Sequence, residues 1–350
     1  MNKVILDDLN LIINNKLVQW DLFKNRTVLI AGANGMLPAY MAFTLLHLNE
    51  TRNYNIKVIA LVRNERKAKE KFENYLTDSH LILLVQDVCS KIEIPETIDY
   101  IIHAASQASP KYYGIDPLGT INANVLGTLN LLQLASEKKS SSFLYFSSGE
   151  VYGVIDSCET VKEDKYGTID PLNVRFCYAE SKRMGENICI SSNMQFGTHA
   201  RIVRPFHCYG PGMLLDDGRV FADFTKNIVN NENILLRSDG KAVRAFCYIT
   251  DAVVSFFLVL LYGKDGEAYN IGNPKEAVSV FELAHLLISI YPEKKLIVQT
   301  EIIENDMRTV KMKSPLSVSV PDISKLNNLG FYPIVSLKEG FKRTIDSFIE

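Results

Sequence analysis

Tyr178 stands four positions ahead of Lys182 in the stretch "YAESK", at the head of a segment of helical period. On a helix, residues i and i+4 lie one turn apart on the same face, so a phenol and an ammonium would sit side by side. Such a pair can be a proton-transfer couple or two neighbours on a packed face. Spacing alone leaves both open, and the rest of the chain has to decide.

A second stretch with chemical content lies near the N-terminus. "TVLIAGANGMLPAYMAFTLL", residues 27–46, runs from an apolar strand through a glycine turn into a helix. Gly32 permits the tight turn, and Gly35, between Asn34 and Met36, lets the backbone approach a pyrophosphate held on the helix N-terminus. Pro38 takes the place of a third glycine, where a first-turn helix residue loses nothing by lacking an N–H. An ordinary structural turn is the alternative, but a strand before and a helix after are the context a dinucleotide site requires.

The second strand ends in "VIALVRNERK", with Arg63 where a carboxylate would bind the adenosine ribose 2′-hydroxyl. An arginine there suits a 2′-phosphate and favours NADP over NAD, with a solvated basic helix start as the alternative. "LVQDVCS" sets Asp87 and Val88 at the end of the third strand, where an acid could hydrogen-bond the adenine amino group or merely close a turn.

The elements that must position these residues are legible as an alternation. "TVLIAGA", "KVIALV", "LILLVQD", "YIIHAAS", "SSFLYFSS" and "ARIVRP" read as short strands, separated by segments of helical period such as "MAFTLLHLNE" and "NVLGTLNLLQLASEKK". Continuous apolar runs rich in β-branched residues fit strands covered on both faces. The fold class expected is therefore α/β, a Rossmann-type doubly wound parallel sheet that binds ligands at the carboxyl ends of its strands. After about residue 212 the pattern turns to mixed helices, short strands and loops. The expected division is a helical extension over 1–25, a dinucleotide-binding domain over 26–211 and a smaller mixed substrate lobe over 212–350. Residues 1–25 are expected to form a short helix packed on the outside.

Composition narrows the partners. The 350 residues are 47% hydrophobic and 22% charged, with a formal net charge of -2, which gives no electrostatic reason to expect nucleic acid or an anionic membrane. No apolar run approaches the roughly 20 residues needed to cross a bilayer, and the N-terminal stretch lacks the apolar core of a signal peptide, so a cytoplasmic protein is expected. Cys89, Cys158, Cys177, Cys189, Cys208 and Cys247 form no CxxC and no Cys/His pair at metal-ligand spacing. They are expected to be free thiols, with no metal site. His103, inside "YIIHAAS", reads as a core histidine.

With the glycine turn, "HAAS", "SSGEVYG", "YAESK" and "RPFHCYGPG" in that order, the chain resembles the extended short-chain dehydrogenase/reductase family over about residues 26–350. More narrowly, it resembles the branch of nucleotide-sugar epimerases, dehydratases and decarboxylases. That resemblance implies a bound NAD or NADP, contacted also by Ala104, Ala105 and Ser106, and a nucleotide-diphosphate sugar as substrate. It implies that Ser148, at the end of the fifth strand, hydrogen-bonds the substrate hydroxyl together with Tyr178, while Lys182 also holds the nicotinamide ribose. A tyrosine of ordinary pKa, about 10, is a poor base at neutral pH, and the neighbouring Lys182 cation and the nicotinamide charge are expected to lower it.

The family's common first step is oxidation of the sugar at carbon 4, so the residues acting next discriminate among its members. Sugar 4,6-dehydratases acting on deoxythymidine diphosphate sugars carry an Asp-Glu pair where this chain has Gly149 and Glu150. Glu150 remains available as a base. UDP-glucuronate decarboxylases resemble the chain best, sharing the Ser/Thr-x-Glu arrangement and segments like "ASPKYYGIDPLGTINANVLGTLNLL" and "DDGRVFADF". In that reading Tyr112 and Tyr113 line the sugar pocket, and Arg219 and Arg244 face the substrate. A 4,6-dehydratase and a 4-epimerase are the alternatives, and a non-catalytic dinucleotide-binding regulator is the alternative from another class. The resemblance further implies a homodimer built from the helices of "NVLGTLNLLQLASEK" and "YAESKRMGENICI".

Overall fold

The computed structural model describes residues 1–155, 160–301 and 318–349. Cys158 lies outside the described residues. Six of the expected strands form where the apolar runs placed them: β1 (Thr27–Ala31), β2 (Lys57–Val62), β3 (Leu81–Val85), β4 (Tyr100–His103), β5 (Ser142–Phe146) and β6 (Ala200–Pro205). With Ala268–Ile271 they make a seven-stranded sheet in the order Ala268–Ile271, β6, β5, β4, β1, β2, β3. Every neighbouring pair is parallel.

All five residues of β1 are buried. Val28 and Ile30 enter one core and Leu29 and Ala31 the other, as the two-residue period of a strand requires. Helix α1 (Lys3–Ile13), α2 (Met36–Arg52) and, much later, α8 (Ile249–Tyr262) contribute to the first core. Between them in sequence come α3 (Glu65–Lys71), α4 (Pro110–Tyr113), α5 (Pro117–Lys138), α6 (Cys177–Phe196) and α7 (Val220–Val229). Residues of α5 and α6 contribute to the second core. The chain winds outward from β1 to β3, then returns to lay β4 on the other side of β1. That reversal opens a crevice at the carboxyl ends of β1 and β4.

The region after residue 212 is tied closely to the sheet. Ala268–Ile271 is its edge strand, and α8, buried along Ile249 to Leu260, packs beneath it because a helix apolar on all sides has to be enclosed. Smaller pairings frame the crevice: β7 (Cys208–Tyr209) lies parallel to Cys247–Tyr248, and Val243–Ala245 pairs with Ala277–Ser279 and Val318–Ser319.

The N-terminal helix is anchored by more than apolar contacts. Beyond the apolar Leu9 and Ile12, α1 buries Asp8 completely. Asp8 accepts hydrogen bonds from Tyr40 of α2 (3.1 Å) and Tyr248 (2.7 Å), and its other oxygen takes the Arg343 guanidinium of the C-terminal helix Leu337–Ile349 (3.0 Å). The expected short helix therefore forms and packs with one face, Asp8 included, tied into the core and its other face exposed. No described helix is long and apolar enough to cross a membrane.

Candidate active site

Tyr178 and Lys182 open α6, whose buried stripe continues through Gly185, Cys189 and Ser192 at helical period. The stripe faces the sheet. Tyr178 is 5% exposed and Lys182 2%, so both answer the spacing question as buried partners of one face. Lys182 Nζ donates to the carbonyl of Phe146, the last residue of β5 (2.5 Å), and lies 4.9 Å over the Tyr145 ring and 5.7 Å over that of Tyr178. Ser148 follows two residues beyond β5, its hydroxyl capping the turn Gly149–Tyr152 by accepting from Glu150 N (3.2 Å).

The electrostatics differ from the expectation of a lowered tyrosine. Burial pushes the Tyr178 hydroxyl up to about 12, against a hydrogen bond from Ser148 that pulls it down. Burial likewise pushes the Lys182 ammonium down to about 7, opposed by the Glu186 carboxylate. Two groups taken out of water both resist their charge: the phenol stays neutral at neutral pH, and the ammonium is poised to gain or lose its proton there.

Behind them the charges are fully paired. Glu186 takes Arg204 with both oxygens (2.8 and 2.7 Å) and Ser147 Oγ (2.5 Å), and Arg204 also donates to Tyr152 Oη (2.9 Å). Arg204 is thus a structural ion-pair former.

A cavity of about 1220 Å³ opens in front of these groups. Ser148, Glu150, Tyr178 and Lys182 line it, as do Gly35, Met36, Ala104 and Ser106 from the glycine-turn side and Tyr113, Arg219 and Arg244 from the far side. Tyr113 stacks on Tyr178 (centroids 5.1 Å, 14° between planes). Arg175, absent from the sequence-level site, is buried in the same wall with its guanidinium 5.4 Å over Tyr113 and 3.1 Å from Glu150 Oε2. Arg219 is paired with Asp217 and stacked on Phe221, and Arg244 Nη1 donates to Val243 O (2.8 Å). Phe206 and His207, from the "RPFHCYGPG" stretch, are also in the wall.

Several expected residues stand elsewhere. Tyr112 is half-buried beneath Lys111 and does not line the cavity, because the single turn of α4 turns Tyr113 inward instead. Val88 is a core residue packed over Gly127, and its carbonyl holds Asn130 (2.9 Å). Asp87 caps its own turn through Cys89 N (2.8 Å) and makes a long 3.8 Å pair with Arg63. Arg63, Asp87 and Val88 all fall outside the cavity wall. His103 is a fully buried ring whose pKa burial holds down to about 3, as befits a neutral core histidine.

The glycine turn fits a dinucleotide. Gly32 has φ 80°, and a Cβ there would come within 2.6 Å of the Ala105 backbone, so the turn and the end of β4 are in direct contact. Gly35 begins α2 with no side-chain cap, leaving the first-turn N–H groups to a ligand. Asn34 Oδ1 and Ser106 Oγ are buried without a hydrogen-bond partner, which is the condition of polar atoms arranged for a bound group. Asn34, Ser106 and the α2 N-terminus would hold the dinucleotide, which supplies a hydride acceptor when bound.

The comparisons with known proteins agree with this geometry. Residues 28–272 match the model of the NAD dependent epimerase/dehydratase family. The chain belongs to that family. It is 32% identical to UDP-glucuronic acid decarboxylase 3 of Arabidopsis thaliana over 328 residues, covering 93% of this chain and 89% of that protein. UDP-glucuronic acid decarboxylase 1 of Danio rerio is 30% identical over 324 residues, covering 92% and 72%. Among solved structures, the fold is shared with UDP-glucose 4-epimerase from Thermotoga maritima with UDP-glucose (TM-score 0.78, 23% identity, 92% and 98% covered). It is shared equally with UDP-glucuronic acid 4-epimerase from Bacillus cereus in complex with UDP-glucuronic acid and NAD (TM-score 0.77, 23% identity, 92% and 98% covered). As a member of the epimerase/dehydratase family the chain is an enzyme that modifies a nucleotide sugar, and its cofactor is a nicotinamide dinucleotide.

Proposed function

We propose that this enzyme oxidises UDP-glucuronate at carbon 4 and releases its carboxylate as carbon dioxide. The observation that carries the reading is the convergence of Ser148, Tyr178 and Lys182 on one cavity wall, with Gly149 between Ser148 and Glu150 and no acid beside it. A Cβ at position 149 would stand 3.0 Å from the Phe206 ring, so an acid there needs that ring to move. The acid that 4,6-dehydratases acting on deoxythymidine diphosphate sugars use against the departing hydroxyl is absent from this position, where it would require the Phe206 ring to give by a few tenths of an ångström. The identity of about a third with the two UDP-glucuronic acid decarboxylases supports the same choice.

In this scheme Ser148 orients the carbon-4 hydroxyl, Tyr178 takes its proton, and Lys182 stabilises the phenolate as it forms. The dinucleotide, which Asn34, Ser106 and the α2 N-terminus would hold, would supply the hydride acceptor at carbon 4 and would give the hydride back once carbon dioxide has left. A carbon-4 ketone lies β to the carboxylate, so the electrons of the breaking carbon–carbon bond flow into it without a further base, and carbon 5 then takes up a proton from solvent. Glu150, held by Arg175, orients the sugar. The test is product mass after reaction in heavy water. Loss of carbon dioxide supports the proposal, loss of water with solvent deuterium in the product makes the enzyme a dehydratase, and unchanged mass makes it an epimerase.

Cofactor choice in this scheme turns on Arg63. Its guanidinium is more than half exposed and makes a long contact to Asp87, a placement compatible with a 2′-phosphate partner. We take NADP to bind at least as tightly as NAD. A homodimer through α5 and α6 belongs to the same proposal, since the two helices pack together yet leave Leu118, Leu126, Leu129, Met184 and Met194 exposed. Light scattering at micromolar concentration tests it, and a monomer contradicts it.

A further inference from the structure

Strand pairing makes neighbours of Cys208 and Cys247. β7 runs parallel to Cys247–Tyr248, with Cys208 set directly against Cys247 and Tyr209 against Tyr248. The two tyrosine rings meet on one face of this small ladder, edge to face with centroids 5.6 Å apart. Because side chains alternate along a strand, the two cysteines share the other face. Both thiols are free and buried, Cys208 5% exposed and Cys247 1%. Each sulfur makes only a long 3.8 Å contact to a nearby carbonyl, Phe206 for Cys208 and Tyr248 for Cys247, so neither is held by a strong partner.

That placement suits a disulfide. Paired strands lie ~4.8 Å apart, inside the roughly 4.4 to 6.8 Å between Cα atoms that a disulfide spans. The thiols already act on one another: the Cys208 thiol first, and then burial, hold the Cys247 thiol well above its ordinary value, so it is protonated at neutral pH. Access differs between them. Cys208 borders the cavity of about 1220 Å³, and Cys247 is not in its wall, so a small oxidant entering the cavity meets Cys208 first. The pair is also mechanically joined to the site. Phe206, two residues before Cys208, would stand 3.0 Å from a Cβ on Gly149, and Gly149 adjoins Ser148. A shift of β7 is therefore passed to Ser148 through close-packed atoms.

We propose that Cys208 and Cys247 form an oxidative modification site, closed by hydrogen peroxide into a disulfide that ties β7 to its parallel neighbour and reversibly lowers turnover. The Cys208 sulfur attacks one peroxide oxygen and the O–O bond breaks. The thiol proton leaves with the other oxygen as water, and Cys208 is now a sulfenic acid. The Cys247 sulfur then attacks the Cys208 sulfur. An S–S bond forms, the S–O bond breaks, and the departing hydroxide takes the Cys247 proton and leaves as a second water. The two thiols together give up two electrons, which the peroxide gains. The bridge needs Cβ atoms about 3.8 Å apart, closer than the ~4.8 Å of paired strands, so it draws β7 towards its neighbour and moves Phe206 against Gly149. A thiol reductant reopens it by exchange.

The test treats the dinucleotide-loaded enzyme with hydrogen peroxide, blocks the remaining thiols in denaturant and digests with trypsin in the absence of reductant. Trypsin does not cut between Arg204 and Pro205, so Cys208 falls in residues 202–219 and Cys247 in 245–264, each the only cysteine of its peptide. A bridge between them appears as one linked mass. Turnover of UDP-glucuronate is followed in parallel, and only this arm rests on the functional reading above. The inference expects the linked pair to appear, turnover to fall about fivefold or more, and dithiothreitol to reverse both. Cys247→Ser is expected to give no linked mass and to lose less than about twofold in turnover under the same peroxide, and Cys208→Ser takes its place should that protein not fold. Two separately blocked peptides from the wild type overturn the inference, as do linked peptides with unchanged turnover. An equal loss of turnover by Cys247→Ser also overturns it, since the damage then lies elsewhere. A wild type that never turns over UDP-glucuronate overturns the functional reading alone, and the linked peptides then decide this inference.

Discussion

Two buried charges set the terms for two regions of this molecule. Asp8, wholly enclosed between α1, α2 and the C-terminal helix, has partners on both carboxylate oxygens: Tyr40 and Tyr248 on one, Arg343 on the other. Lys182, equally enclosed, has one carbonyl and the faces of two rings. Enclosure acts against both charges: it raises the Asp8 carboxyl above its ordinary value even with a counter-ion and two tyrosine donors, and it pushes the Lys182 ammonium down to about 7. A charge that serves the fold is paired at home. On the proposed scheme, the Lys182 charge is left short of partners so that a ligand and a proton can complete it.

The largest effects separate the regions by what they break. Tyr178→Phe is expected to lower turnover by 10² to 10⁴, about 3 to 5 kcal/mol in the barrier, with melting temperature and dinucleotide affinity nearly unchanged. Steady-state kinetics beside a thermal melt reads both quantities, and a variant keeping more than about half the activity would reduce Tyr178 to a packing residue. Asp8→Ala is expected to do the converse. Leaving Arg343 without its buried partner costs about 3 kcal/mol of stability, read as a shift in denaturation midpoint, with kcat per folded molecule little changed. A stable Asp8→Ala protein would show the knot to be ornamental.

Lys182 sharpens the contrast through pH. Its folded pKa of about 7 lies below the ordinary lysine value, so between the two the unfolded chain binds one more proton and stability rises with pH. Below about 7 both states are protonated and the folded protein bears the whole cost of the buried ammonium. Lys182→Met is therefore expected to be more stable than wild type at pH 6. That advantage should shrink by on the order of 1 kcal/mol per pH unit as the pH climbs from about 7 towards 10. Denaturant melts of the two proteins across this range check it, and parallel curves would mean that Lys182 keeps its charge by some other partner. The smallest expected effect is at Arg63, where Arg63→Asp should lower the ratio of NADP to NAD affinity about tenfold in titrations of stripped protein. An unchanged ratio would place Arg63 outside the adenosine pocket.

The same contrast explains what could be read from the sequence. β1 to β6 are visible because each is a short apolar run whose alternate residues feed two cores, and the glycine turn is visible because its geometry depends on consecutive residues. Tyr178 and Lys182 are visible as a local pair. Asp8 is not: its partners lie 32, 240 and 335 residues away, and no local pattern in an amphipathic helix says that one of its acids points inward. Tyr112 and Tyr113 are adjacent tyrosines, and only the single turn of α4 decides which one meets Tyr178. Cys208 and Cys247 are far apart in sequence, and only the pairing of two short strands sets them side by side. In the ligand-free chain burial raises Tyr178 instead, since a sequence shows a lysine four residues away but not how deeply both groups are buried.

The central claim is that this redox pocket exists to unmask a β-keto acid. The most direct measurement follows carbon dioxide release from carboxyl-labelled UDP-glucuronate by the dinucleotide-loaded enzyme, with Tyr178→Phe as the control. The account predicts label released in step with substrate consumed, and none from the variant. Substrate consumed with the label retained in the sugar product would contradict it.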